Sequence, residues 1–310
     1  MSQKSGPGGA QGDNVAFALP QRPFFSGISK GGVAVELWFT EDQTKDVRIS
    51  CRVKKVLFSG RSQFQEVAVY DTDEYGRLLA LDNIIQTNIR DEFIYHESLT
   101  HVGLNTHPNP QKVLLIGGGD GGSVREIVKH KDIEKIVHVE IDQMVIDVAK
   151  EFFPELSSGF SDPRVEIIVD DGIKHVKEHK NTYDVIMVDS PDPIGPAVGL
   201  YGDDFYRNVA GALKEDGLLV AQTESPFFNR DLISRVNATM KSIFPIVRMF
   251  LGIVPTYPGG AWTFTVGSKK YDPLEVDTDK LPNLNTKWYS PEMHRSVFVL
   301  PPFFRELIRE

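Results

Sequence analysis

Five short apolar runs in this chain each end on an acid. Val113–Ile116 runs into Gly117-Gly118-Gly119-Asp120-Gly121-Gly122, and Ile136–Ile141 closes on Glu140 and Asp142. Val165–Val169 is followed by Asp170-Asp171-Gly172, Val185–Val188 by Asp189-Ser190-Pro191-Asp192, and Leu218–Gln222 by Thr223-Glu224. If these runs are parallel strands, their carboxyl ends share one rim, where open α/β sheets bind ligands. Carboxylates gathered closely raise one another's pKa unless a cation neutralises them. The occupant implied is therefore polycationic: a sulfonium, one or more ammoniums, or both.

Asp120 sharpens that inference. Gly117, Gly119 and Gly122 fit G-x-G-x-x-G, a turn that brings a ligand close to backbone at a helix N-terminus. A helix N-terminus suits phosphate. A carboxylate inside the turn repels a pyrophosphate and suits a cation. Glu140 lies 23 residues past Gly117 (140 − 117), the spacing at which a carboxylate takes ribose hydroxyls. Taken singly, Asp142 and Asp170 read as helix N-caps or first-turn charges. Tyr257, in the rigid turn Pro255–Trp262, and Tyr95 are the aromatic groups that could pack an alkyl chain and bond an amine at this rim. Taken alone, either tyrosine reads as ordinary packing.

Other chemistries have weaker support. Hard-cation sites combine closely spaced carboxylates, and no such loop is seen. His175 and His179 stand i,i+4, a zinc-compatible spacing, but with no third ligand in sight they read as two exposed surface histidines. His96 and His101 are five apart and share a helix face poorly. Ser190 has no G-x-S-x-G context. Cys51 lies far from the rim in sequence and reads as a core or surface thiol.

The elements that must position the acids follow from periodicity. Strands are expected at Val113–Ile116, Ile136–Ile141, Val165–Val169, Val185–Val188, Leu218–Gln222, Ile246–Leu251 and Thr263–Val266. Helices are expected near Ser123–His130, Gln143–Phe153, Ile173–Lys180, Asp203–Leu213 and Asp231–Phe244. This alternation predicts an α/β fold, a Rossmann-like seven-stranded sheet of methyltransferase type with a final hairpin. Upstream, Val47–Ser50, Lys54–Phe58, Gln65–Tyr70, Leu78–Leu81 and Ile84–Thr87 predict a small N-terminal antiparallel β domain. A helix follows over Arg90–Asn105, and His107-Pro108-Asn109-Pro110 is a rigid break. The division expected is a disordered tail over 1–32, a β domain with its connecting helix over 33–107, and a catalytic domain over 108–310. The stretch Pro191–Leu200, with three prolines and two glycines, reads as a loop over the rim and a lid. Ser290-Pro291-Glu292 reads as a helix start.

Composition bounds the function. The 310 residues carry 34 basic and 43 acidic side chains, a net charge of −9, which argues against nucleic acid. No apolar run approaches the roughly 20 residues of a membrane span. A single cysteine and no apolar leader point to the cytoplasm.

From about Glu36 to the C-terminus the chain closely resembles the spermidine synthases, the putrescine aminopropyltransferases. The resemblance rests on Glu36-Leu37-Trp38-Phe39-Thr40-Glu41, Gln63-Phe64-Gln65-Glu66, Asp91–Glu97, Gly117–Gly122, Asp171-Gly172, Asp189–Pro196 and Pro255–Gly260. It implies transfer of the aminopropyl group of decarboxylated S-adenosylmethionine to putrescine, release of 5′-methylthioadenosine, no metal, and a homodimer or homotetramer. By the same resemblance Glu140 would hold the ribose and Asp171 the adenine amine. Gly117, Gly119 and Gly172 would belong to the same cofactor surface. Asp120, Gln65 and His96 would meet the aminopropyl end, His96 at a position some relatives fill with glutamine. Asp189 would be the central catalytic acid, with Tyr95 and Tyr257 along the putrescine path, and Asp192, Gln222 and Glu224 would handle the far amine. The chain departs from the family pattern at Asn83, where glycine is usual, and at Asp170, where many relatives have glycine. Competing functions are an aminopropyltransferase preferring cadaverine, agmatine or spermidine, an S-adenosylmethionine methyltransferase, a catalytically idle polyamine- or nucleoside-binding protein, and a NAD-dependent dehydrogenase. Asp120 opposes the methyltransferase and the dehydrogenase, whose cofactors bring a carboxylate or a pyrophosphate to the turn.

Overall fold

The computed structural model describes residues 36–308, so the tail expected over 1–32 lies outside the described residues. Five antiparallel strands come first: β1 (Leu37–Thr44), β2 (Val47–Arg61), β3 (Glu66–Thr72), β4 (Gly76–Leu81) and β5 (Ile84–Asn88), paired in chain order. Side chains alternate between faces along a strand. Phe39 on β1 and Cys51 and Val53 on β2 therefore turn inward, onto Leu78, Ala80 and Ile85. The sheet curls into a half-barrel in which the Glu41 carboxylate of β1 accepts the Ile85 N–H of β5 at 2.8 Å.

Two expectations are corrected here. β2 is one strand of 15 residues, not two, because Arg52 interrupts the apolar pattern only on the exposed face. Its register against β3 shifts twice, between Val53 and Lys55 and between Val56 and Phe58. The stretch from Leu37, quoted above only as a motif, is itself the edge strand β1. At the β4–β5 turn, Asp82 and Asn83 have φ of 47° and 65°, so asparagine adopts the left-handed geometry of a tight hairpin without glycine.

Helix α1 (Glu92–Thr106) leads to the second sheet. Its strands are β6 (Lys112–Gly117), β7 (Lys135–Glu140), β8 (Val165–Val169), β9 (Tyr183–Asp189), β10 (Leu213–Gln222), β11 (Ile246–Ile253) and β12 (Ala261–Ser268). Their order is β11-β12-β10-β9-β6-β7-β8, with β12 antiparallel to both neighbours and the rest parallel. The intervening helices are α2 (Gly122–Ile127), α3 (Gln143–Phe152), α4 (Gly172–Glu178), α5 (Asp203–Ala212) and α6 (Arg230–Lys241). All seven strands and five helices expected between 113 and 266 are present, with ends shifted by up to five residues. Near the C-terminus, α7 (Pro291–Ser296) starts where expected, with Ser290 accepting the Met293 N–H, and α8 (Pro302–Arg305) follows.

The parallel strands are apolar throughout because both faces are covered. Val113, Leu115, Val185 and Met187 face α1 and α2, where Leu99, Val102, Val124 and Ile127 meet them. Leu114, Ile116, Ile186 and Val188 face α4, α5 and α6. Each such fully buried side chain stabilises the fold by about 1.5–3 kcal/mol relative to exposure. A third cluster, Val67, Val69, Leu79 and Leu81 against Val145, Val148 and Phe153, seats the β unit on α3.

His175 and His179 are not two exposed residues. His175 is buried, its ring stacked on His179 at 3.9 Å and bonded to the Tyr183 hydroxyl at 2.7 Å. Among the described residues no group of three or more His, Cys, Asp or Glu side chains could hold a metal ion. Nor is any helix there long and apolar enough to cross a membrane.

Candidate active site

The sheet order reverses between β6 and β9. Gly117 and Asp189 are partners in register across that reversal. This is the switch point at which an open α/β sheet opens a crevice. The chain leaves β6 through Gly117, whose φ is +76° and whose added Cβ would lie 2.1 Å from the Asp189 carbonyl oxygen. Only glycine satisfies both demands. Three residues on, the turn aims Asp120 into the crevice, where its carboxylate accepts the Gly122 N–H at 2.7 Å. A Cβ at Gly122 would lie 2.2 Å from the His96 ring, so that glycine is what lets α1 bring His96 against the turn.

One cleft collects most of the residues singled out above. Glu140, Asp171 and Gly172 line its β7–β8 side; Gln65, His96, Gly117, Gly119 and Asp120 its middle; Tyr95, Asp189, Asp192 and Tyr257 its β9 side. A smaller pocket continues inward past Tyr95, Tyr257 and Asp192 and is lined also by Glu41, Gln222 and Trp262. Glu224 lines neither part. Its carboxylate is enclosed by the Tyr201 hydroxyl at 3.0 Å, the Gln222 amide at 3.1 Å and the Asn229 amide at 2.7 Å. It meets the cleft through Gln222 and through the Tyr201 hydroxyl, which also bonds Ser190 and Pro191. Gln65 lines the cleft, but its amide nitrogen donates to Asp142 at 2.9 Å rather than to Asp120. Asp142 and Asp171 cap α3 and α4 by accepting the Met144 and Ile173 N–H groups. Asp170 is tied to Lys174 on the surface.

Asp189 is buried at the end of β9, with no cation among the described residues bonded to its carboxylate. Its two oxygens accept the Tyr95 hydroxyl at 2.8 Å and the Ser123 hydroxyl at 2.6 Å. Burial, and then the charge of Asp120, push its pKa up; the charge of His96 and then the two hydroxyls only partly offset this. Tyr95, itself buried beside Asp189, stays a phenol far above neutral pH. The Tyr95 and Tyr257 rings meet edge to face at 5.7 Å, and the Tyr257 hydroxyl donates to the Gln86 carbonyl. Asp91 holds that loop in place, accepting from Asn88 and from the Thr256 N–H and hydroxyl.

The remaining acids divide into two electrostatic classes. Asp120 has an internal cation: His96 Nε2 lies 3.4 Å away, while His96 Nδ1 bonds Glu92 at 2.6 Å. Glu92 in turn takes both terminal nitrogens of Arg125, at 2.8 and 2.9 Å. Burial alone would raise Asp120 and Glu92, but these cations hold both carboxylates below their ordinary range. Glu140, Glu41 and Asp192 have no such partner, and burial pushes them to about 7, about 7 and about 6. Glu224 is pushed to about 8, by burial first and then by Asp192.

Sequence reasoning missed Ser123, Glu41 and the Glu92–Arg125 pair as site residues. Ser123 was legible as the first side chain after the glycine turn. Glu41 carried one signal: an acid two residues after Phe39, on the inward face of a strand. Arg125 carried none, because it meets Glu92 across 33 positions of sequence. The expected lid runs into a 3-10 turn, Gly195–Tyr201, with Val198 exposed, Ala197 buried, and Ile194, Ala197 and Leu200 lining the cleft.

Comparison with known proteins gives matches over both sheets. Residues 92–280 match the family model described as the spermine/spermidine synthase domain, and residues 37–88 that of the spermidine synthase tetramerisation domain. A polyamine aminopropyltransferase of Moorella thermoacetica is 58% identical over 272 residues, covering 88% of this chain and 96% of that one. Its counterpart from Caldicellulosiruptor bescii is 54% identical over 275 residues, covering 89% and 99%. Among solved structures, a spermidine synthase in complex with the transition state analogue AdoDATO superposes with a TM-score of 0.86 at 40% identity, covering 88% of this chain and 94% of that one. The spermidine synthase of Thermotoga maritima gives 0.83 at 39%, with the same coverage.

Proposed function

The chain belongs to the spermidine synthase family of polyamine aminopropyltransferases, and from that premise we propose that its acceptor is putrescine and its donor decarboxylated S-adenosylmethionine, giving spermidine and 5′-methylthioadenosine. One observation carries the choice of acceptor. The inner pocket shares Tyr95, Tyr257, Ser190 and Asp192 with the Asp189 end of the cleft and adds the buried Glu41 and Gln222. A short chain with a cation at each end fits that sequence of surfaces.

Glu140 takes the ribose hydroxyls, Asp171 the adenine amine, and Gly117, Gly119 and Gly172 allow the nucleoside to lie on backbone. Asp120 and His96 meet the aminopropyl ammonium, with Gln65 beside them. The reaction is displacement at the carbon next to the sulfonium. The amine lone pair forms the C–N bond as the C–S bond breaks, and the sulfur leaves as a neutral thioether. No oxyanion develops, so no oxyanion hole is required. The nucleophile is the difficulty: an alkylammonium has a pKa near about 10.4, so little free amine exists at neutral pH. Asp189, raised by burial and aimed by the Tyr95 and Ser123 hydroxyls, accepts the departing proton and orients the lone pair. Holding both reactants in line contributes on the order of 7–11 kcal/mol. The far ammonium rests among Asp192, Glu41 and Gln222, with Glu224 acting through Gln222. No metal takes part.

We further propose a β unit over 33–107 and a catalytic unit over 108–310, with α1 joining them. We propose a homodimer or homotetramer assembled through the segment matching the tetramerisation domain, acting in the cytoplasm. The test is product formation from decarboxylated S-adenosylmethionine with putrescine, cadaverine, agmatine and spermidine in direct competition. Putrescine should give the highest kcat/KM and cadaverine a lower one; preference for agmatine or spermidine would overturn the choice of acceptor. Methyl transfer from S-adenosylmethionine itself would overturn the choice of donor.

A further inference from the structure

We propose that His96 is a proton-for-ammonium exchange site: binding a nucleoside that carries a primary ammonium expels the His96 Nε2 proton to solvent. This rests on the donor assignment above and concerns the same end of the cleft.

The geometry makes the two ring nitrogens unequal. Nδ1 faces Glu92 at 2.6 Å, and Glu92 is itself clamped by Arg125 through two bonds. Arg125 is held from behind by Glu126 at 2.7 Å. A carboxylate fixed in that way only accepts, so Nδ1 keeps its hydrogen in either protonation state. Nε2 faces the other way, toward Asp120 at 3.4 Å and the cleft. The exchangeable proton therefore sits on Nε2, at the surface a ligand must touch.

Every charged or titratable group facing the ring can be named. Glu92 and Tyr95 come from α1, Asp120 from the glycine turn, Arg125 from α2, and Asp189 from the end of β9. With the cleft open to water, Asp120 needs a cation. Burial disfavours a charged imidazole, yet Asp120 and the bonds to Asp120 and Glu92 outweigh it, so the ring is an imidazolium. An incoming ammonium that reaches Asp120 supplies the same charge at the same carboxylate. Two cations would then crowd one buried acid, and a like charge at contact favours the neutral form. Losing the Nε2 proton removes that repulsion. It also turns Nε2 from a donor into an acceptor, which the ammonium N–H can use. At Asp120 one positive charge, the ammonium, enters and one leaves, so this end of the cleft keeps its net charge, while the sulfonium lies apart from it. Glu92 and Arg125 act as positioning residues: they fix which nitrogen exchanges. 5′-Methylthioadenosine has no ammonium and drives no exchange, so the product should leave the ring protonated.

The test is calorimetric binding to the full chain at pH 7 in buffers of different ionisation enthalpy, which counts protons released. Both nucleosides act alike on Glu140, so decarboxylated S-adenosylmethionine should release about one proton per site more than 5′-methylthioadenosine, since linkage ties proton release to the shift in the group's pKa. His96→Gln cannot titrate and keeps an acceptor at this place; it should bind the cofactor with about one proton fewer released than the wild type. Glu92→Gln should lower the His96 pKa and reduce the release at pH 7. Equal proton release by the cofactor and by 5′-methylthioadenosine in the wild type would overturn the inference alone. An undiminished release in His96→Gln would overturn it as well, because the proton would come from another acid. Failure of the wild type to bind the decarboxylated cofactor would overturn the donor assignment and the inference together.

Discussion

Asp189→Asn separates the chemistry of the site from its shape. The replacement is isosteric, and both of its neighbours are hydroxyls, which rotate to donate or accept. Tyr95 can go on donating to the remaining carbonyl oxygen at its present 2.8 Å, and Ser123 can turn to accept from the new amide. Asp189 also adds a charge that burial and Asp120 oppose, so removing it relieves the fold rather than straining it. The melting temperature should therefore hold or rise slightly. On the mechanism proposed above, what disappears is the proton acceptor and the partner that aims the amine. A positioned base contributes 10²–10⁴-fold, so kcat should fall by about that factor, a barrier increase of roughly 3–5 kcal/mol. Glu140 and Asp171, which the variant leaves untouched, should keep the nucleoside, so 5′-methylthioadenosine should bind within about threefold of the wild type, under 1 kcal/mol. The assay is rapid-quench single turnover with saturating decarboxylated cofactor and putrescine, which isolates the chemical step from product release. A kcat within tenfold of the wild type would refute the role of Asp189. So would a loss located in nucleoside affinity, which would make Asp189 a binding residue.

Three further outcomes follow from the same geometry. Asp120→Asn should weaken decarboxylated S-adenosylmethionine by about 10- to 150-fold, the worth of a charge-assisted hydrogen bond of roughly 1.5–3 kcal/mol, and leave 5′-methylthioadenosine nearly unchanged; equal weakening in calorimetry would mean that Asp120 only shapes the turn. Putrescine affinity should be full above about pH 8 and lost as the pH falls through about 7 and then about 6, because Glu41 at about 7 and Asp192 at about 6 must ionise to hold an ammonium. The slope should approach tenfold per pH unit for each acid once it is protonated, and it should flatten by one acid in Glu41→Gln; a KM independent of pH between 5.5 and 8 would count against both acids. Gly122→Ala drives a methyl group to 2.2 Å from the His96 ring and should cost about 1–3 kcal/mol of stability, seen in urea unfolding, together with affinity for the decarboxylated cofactor; wild-type values for both would show that the ring moves freely.

What was legible in the sequence, and what was not, divides by range. The second sheet could be read because parallel strands buried on both faces are continuous apolar runs, each punctuated by its own acid. The glycine turn could be read because its backbone demands are local. β2 could not be read as one strand, because Arg52 breaks an apolar pattern without breaking the backbone pairing. Glu41 could not be placed in the cleft, because only the curl that brings β1 to Ile85 puts it there. Glu224 ended a strand as expected, yet its carboxylate is consumed by Tyr201, Gln222 and Asn229, contacts that span as many as 23 positions. Sequence marks which strands end in acids; packing decides which of those acids are free.

That distinction bears on why so many carboxylates are tolerated in one buried cleft. A buried ionised carboxylate without a partner is costly enough that it neutralises instead. The cleft uses both remedies, in different places. Asp120 and Glu92 carry built-in cations in His96 and Arg125, and they stay ionised. Glu140, Glu41 and Asp192 carry none, and burial brings them to between about 6 and about 7. The first group is ready-charged, and a ligand cation there must displace a charge already present. The second group is poised near neutrality, and a ligand cation there draws out the ionisation that it needs. A dication entering the inner pocket therefore meets acids that become anionic because it arrives. A neutral or singly charged amine gives them less reason to ionise. Discrimination for a cation at both ends of the acceptor is then a property of how the acids are buried, and it should weaken when either Glu41 or Asp192 is replaced by its amide.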